Sequence, residues 1–77
     1  MKDLPACEVI WNDAHGQSDG GWVASVSHRP QKIRTVGMLL KDDEVGVTVV
    51  LSHDKQSGHY GDYVFIPRAC ITLLRQL

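Results

Sequence analysis

The sequence predicts a small all-β protein, a five-stranded and partly open barrel with a short 3-10 turn before its last strand. Three observations carry that expectation. Val45, Val47, Val49 and Leu51 alternate with Gly46, Thr48, Val50 and Ser52, a period of two in β-branched residues that suits a half-buried strand. In YVFIPRACITLL, residues 63–74, Pro67 separates two short apolar runs. Proline cannot donate to a ladder, so it belongs at a strand end, and the chain turns there by one tight step. No helical period competes anywhere, and short strands joined by turns read as a sheet-only fold.

In chain order, residues 1–6 form a loose lead-in, because Pro5 opposes a regular element. CEVIWN follows as a strand with Cys7, Val9 and Trp11 facing the core and Glu8, Ile10 and Asn12 facing out. Residues 13–21 are rich in Gly, Ser and Asp and mark a loop. Trp22 to Ser27 alternates again and reads as a strand with Trp22, Ala24 and Val26 inward, joined through a loop holding Pro30 to a partner that begins near Lys32. In that partner, Ile33 to Leu40, one face carries Val36, Met38 and Leu40, and Gly37 eases a bend. Asp42 and Asp43 turn the chain into the strand Val45 to Leu51, and residues 53–62 make a polar hairpin loop. In the closing strands Val64 shares a face with Ile66, and Ile71 shares one with Leu73. The expected core is Trp11, Val36, Val47, Val49, Ile66 and Ile71, with Trp22 at a rim.

The 77 residues make one domain, since either half would be too short to bury a core. Eight Lys plus Arg against nine Asp plus Glu give a net charge of −1, which removes the broad basic field of most nucleic-acid binders. A local contrast remains between Arg29, Lys32 and Arg34, which have no acid among them, and the acidic run Asp42, Asp43, Glu44. No apolar run approaches the roughly 18 residues of a membrane span. The opening MKDLPACE lacks the apolar stretch of a signal peptide, so the expectation is a reducing cytoplasm. Cys7 and Cys70 are then thiols on neighbouring terminal strands.

The letters of catalysis are present without its spacing. Ser52, His53 and Asp54 are consecutive, whereas triads assemble from separated segments. His15, His28, His53 and His59 all fall in predicted loops, and none has the spacing that preorganises a zinc site. Asp13, Asp19 and Asp62 read as turn formers, and Gly16, Gly20 and Gly21 precede a strand, so no phosphate loop is indicated. The expectation is a non-enzyme with no catalytic residue, no metal and no cofactor.

Taken together, WNDAHG with a downstream Trp, then TVGMLLKDDEVGVTVVLS, then IPRACITLLRQL, resemble small proteins met in bacteriophage and environmental phage genomes. VFIPRACITLL also resembles the second motif of Sm-like proteins, an apolar pair, Ile-Arg-Gly, two turn residues and a final apolar strand. The resemblance implies an SH3-like or Sm-like barrel that assembles into rings. Pro67 stands where the family carries its RNA-contacting arginine, Arg68 stands where it carries glycine, and no Asp-x-x-x-Asn pattern precedes them. Fold-level likeness does not carry uridine binding across that gap.

Two functions follow as expectations. The first is a homo-oligomeric structural or protein-interaction module, a ring in preference to a two-fold dimer, that serves as a phage accessory protein and meets a host or phage protein. It uses the apolar residues that alternation leaves outward, Ile10, Leu39, Val50, Phe65 and Leu74. The second is a nucleic-acid-binding barrel whose Arg29, Lys32, Arg34 and Arg68 give weak, salt-sensitive contacts repeated around a ring.

Overall fold

The computed structural model describes residues 3–14, 21–26 and 28–77. Among these residues five antiparallel strands form one sheet: β1 (Ala6–Asp13), β2 (Gln31–Asp42), β3 (Gly46–His53), β4 (Tyr60–Pro67) and β5 (Ile71–Gln76), in the order β4-β3-β2-β1-β5. The 3-10 turn Arg68–Cys70 stands between β4 and β5, at the corner that Pro67 marks. The sheet is not closed into a barrel, because β4 and β5 are its two edges and do not pair with each other. Among the described residues no helix is long and apolar enough to cross a membrane.

Alternation marks six segments, and one of them is not a strand. Residues 21–26 lie outside the sheet with Trp22 99% exposed, and Ser27 falls outside the described residues. The expected hairpin partner is already engaged: β1 runs along β2 from Asp13↔Gln31 to Ala6↔Met38. Alternation says which side chains would share a face, and it cannot say that a ladder is free to receive them.

Cys7, Val9, Val47, Val49 and Ile66 form the buried cluster, with Trp11, Leu39, Val64, Cys70, Ile71 and Leu74 packed against it. The expected core holds except at Val36, which is 41% exposed. The pairing Cys7↔Gly37 and Leu39↔Val49 puts Gly37 and Leu39 on the core face of β2, so Val36 and Met38 point the other way. Both faces of that strand are apolar in sequence, and the side chain missing at Gly37 hides the true parity. Irregularities in the pairing at Leu39/Lys41 and at Ile10/Trp11 shift the parity further. The second of these separates Ile71 from Leu73: Trp11 pairs with Ile71 while Ile10 pairs with Leu73, and the intervening Thr72 donates its hydroxyl to the Ile10 carbonyl at 3.0 Å. Ile71 and Leu74 therefore reach the core, and Leu73 is turned out.

Beyond Met38↔Val50 the sheet forks. The first half of β2 stays with β1, and the last residues of β3 stay with β4. A cleft of about 210 Å³ opens between the arms, lined by Thr35, Val36, residues 49–51 and residues 62–64. Gly37 sits at the fork, where a Cβ would lie 2.6 Å from Val49 Cγ1 and 2.8 Å from the Val50 carbonyl oxygen. Leu51, past the last β2 pairing, is left exposed, as is Val45 just before β3.

Two aspartates fix the turns by accepting backbone amides. Asp43 accepts from Val45 at 3.0 Å and Gly46 at 3.2 Å, and Asp54 accepts from Gln56 at 2.9 Å. Gly58, with φ 79°, supplies the left-handed step in the β3–β4 turn. Cys7 is buried in β1 and Cys70 lies in the 3-10 turn, both as free thiols. The expectation of neighbouring terminal strands is met by β1 and β5, but Cys70 itself precedes β5. Burial pushes the Cys7 thiol up from its ordinary value.

Candidate functional site: the outer face and its charged cluster

Every strand of the sheet has one face toward the buried cluster and one away from it. On the outer face of β1, Glu8 is only 5% exposed although it was expected to face water. It pairs with Val36 on one side and Arg75 on the other, with Arg34 one pleat along β2. Each carboxylate oxygen takes one guanidinium: Oε2 accepts from Arg34 Nε, and Oε1 accepts from Arg75 Nε at 2.7 Å. The three strands β2, β1 and β5 thus hold a cation–anion–cation ladder across the sheet.

The hydrogen bond from Arg34 is the leading cause that holds the Glu8 carboxyl below its ordinary value of 4.5, ahead of the opposing desolvation and of the Arg75 bond. A folded-state pKa below the unfolded one adds stability that is present above the unfolded pKa and lost as pH falls through the folded one. Wild-type protein should therefore lose urea resistance below about pH 4.5, and Glu8→Gln should start lower at neutral pH and lose less on acidification. Parallel acid limbs for the two proteins in pH-resolved urea melts would contradict this.

The structure does not gather the four expected basic residues. Arg29 lies in the loop before β2, and Lys32 and Arg34 follow along β2, all exposed. Arg68 is engaged elsewhere. It bonds the Asp42 carboxylate, donates to the Asp43 carbonyl at 2.6 Å, and through its backbone N–H meets the Val45 carbonyl at 3.1 Å. It fastens the 3-10 turn to the β2–β3 turn, which is a structural role. Arg75 takes a place beside Arg34 that no feature of the sequence marked, because the Arg75–Glu8 pair spans 67 residues.

The apolar set expected to face outward divides. Phe65 is 46% exposed, and Ile10 is half-buried on the outer face. Val50 is also on the outer face but fully buried, flanked by Met38 and Tyr63. Leu39 and Leu74 pack against the core cluster, each opposite a core valine, Val49 and Val9. Exposed apolar area comes from residues assigned inward or passed over: Val36, Tyr63 and Leu73.

The Phe65 ring lies over Gly46, where a Cβ would fall 2.7 Å from Phe65 Cζ, so this aromatic fills the space a side chain on β3 would take. Trp11 donates its indole N–H to Thr35 Oγ1 at 2.9 Å, which anchors it half-buried against the core.

Among the described residues no group of three or more His, Cys, Asp or Glu could hold a metal ion. His28 and His59 are exposed, and His15 falls outside the described residues. His53 is the last residue of β3, where a loop was expected, and its ring stacks on Tyr60 at 4.7 Å. Ser52 shares that strand, while Asp54 is occupied by Gln56 and Ser57, so the three consecutive letters form no triad. Asp13 accepts from the Ala14 amide at 2.8 Å, Asp19 falls outside the described residues, and Asp62 adopts φ 53° inside β4. Comparison of the chain with protein-family models, curated proteins and solved structures finds no match.

Proposed function

We propose that the chain is a non-enzymatic, homo-oligomeric interaction module whose strands follow the SH3-like or Sm-like plan. The observation that carries this reading is the pair of unlike edges, β4 and β5, on one open sheet. A strand edge presents a row of unpaired N–H and C=O groups that templates pairing with another chain. Joining β4 of one copy to β5 of the next is a heterologous contact, which closes into a ring when the rotation permits. Asp62 takes a left-handed backbone conformation within β4, next to the stretch Tyr63 to Pro67 of that edge. Exposed apolar side chains accompany both edges, Tyr63 and Phe65 on β4 and Leu73 on β5.

Light scattering coupled to a sizing column tests the reading. The wild-type protein should run as a single species of several chain masses at micromolar concentration. Phe65→Lys and, independently, Leu73→Lys should convert it to a folded monomer. Because Phe65 also covers Gly46, the β5 variant separates loss of contact from loss of fold. A wild-type monomer would overturn the proposal.

A further inference from the structure

We propose that Arg34 and Arg75, held in place by the buried Glu8, form a phosphate-binding site on the outer face of the β2-β1-β5 part of the sheet. This does not rest on the oligomer reading. Each guanidinium spends its Nε–H on Glu8, and the terminal amino groups of neither meet an acceptor among the described residues. Both arginine side chains are more than half exposed, whereas the carboxylate between them is almost fully buried. A guanidinium anchored through Nε directs its other N–H groups outward as a fixed fork, the geometry that suits a tetrahedral oxyanion.

The charge balance points the same way. One carboxylate neutralises one of the two arginines. Among the outward-facing positions of β1, β5 and the β1-paired half of β2, Glu8 is the single acid against Lys32, Arg34 and Arg75. A chain of net charge −1 thus concentrates positive charge on one patch. The cluster brings two cations together around one carboxylate and leaves their remaining donors facing water. The ligand chemistry is a phosphate group, borne either by a small molecule or by a nucleic-acid backbone.

The test follows the arginine Nε–H and backbone amide signals by nuclear magnetic resonance while sodium phosphate replaces sodium chloride at constant ionic strength. Arg34, Arg75 and Glu8 signals should shift and saturate. Arg34→Gln should abolish the response, and Arg75→Lys, which keeps the charge and loses the fork, should weaken it about tenfold. Glu8→Gln separates positioning from bulk attraction. Removing a negative charge would tighten binding to a mere basic patch, whereas loss of the anchor weakens binding to a built site. Two further titrations identify the source. A nucleoside monophosphate that matches or exceeds inorganic phosphate points to a small ligand, and a mixed-sequence single-stranded oligonucleotide that saturates at far lower concentration, with a steep salt dependence, points to a backbone. Either result upholds the site. Non-saturating shifts with all three probes, or tighter binding by Glu8→Gln, would overturn the proposal.

Discussion

Gly46→Ala should destabilise the protein by about 3 kcal/mol, a large share of the total for a domain of this size. The reason is the close approach of β4, since the only left-handed glycine among the described residues is Gly58. Gly46 is buried at the start of β3, and an added methyl would press on the Ile66 carbonyl oxygen while meeting Phe65 Cζ at 2.7 Å. An aromatic ring can swing aside, but a backbone carbonyl in a paired strand cannot. Combining Gly46→Ala with Phe65→Ala should accordingly recover little of the loss. The measurement is the urea midpoint of each variant. A change below about 0.5 kcal/mol for Gly46→Ala, in the range of surface substitutions, would mean that the two strands are not so close.

Val49→Asp should be more damaging still and should leave no folded protein at room temperature. Val49 is almost fully buried, lies against the space kept free at Gly37, and belongs to a cluster of five buried residues. With so few buried partners, a carboxylate placed there finds no compensating group, and an unpaired buried charge costs several kcal/mol. Val36→Asp provides the sharp comparison. Val36 points outward opposite Glu8, so the new carboxylate meets like-charge repulsion of about 1 kcal/mol across the strand pair but no buried-charge penalty, and the protein should stay folded. Circular dichroism and thermal melts of the two variants would show the contrast, and a Val36→Asp protein as unfolded as Val49→Asp would place β2 in the opposite register.

These two valines also mark how far residue pattern reaches. In β1 and β3 the alternation of Cys7, Val9 and Trp11, and of Val47 and Val49, identifies the core face correctly, with Glu8 and Thr48 as the polar markers of the other face. The Pro67 corner and the turn after it are equally legible, since proline restricts the backbone wherever it occurs. In β2 and β5 apolar residues fall on both faces, and one irregularity in pairing reverses the parity without leaving a mark in composition. Trp22 to Val26 has a strand's pattern but no ladder to join. The Glu8 ladder was invisible for a different reason. Its three charges lie on three strands, and only the order β2-β1-β5 brings them side by side.

That order also predicts a sequence of events in folding. β1 meets β2 across a single intervening segment, and β2, β3 and β4 are successive hairpins, so four strands assemble through local closures. The last pairing is of another kind: β5 must find β1 from 67 residues away, and closing so long a loop is entropically the most expensive step and brings its reward last. Before that pairing forms, the β5 side of β1 has no partner strand. Substitutions in β5, such as Leu74→Ala, should therefore accelerate unfolding while leaving the refolding rate nearly unchanged, whereas substitutions in β3 should slow refolding. On a ribosome the same asymmetry means that the chain cannot complete its core until β5 has left the exit tunnel.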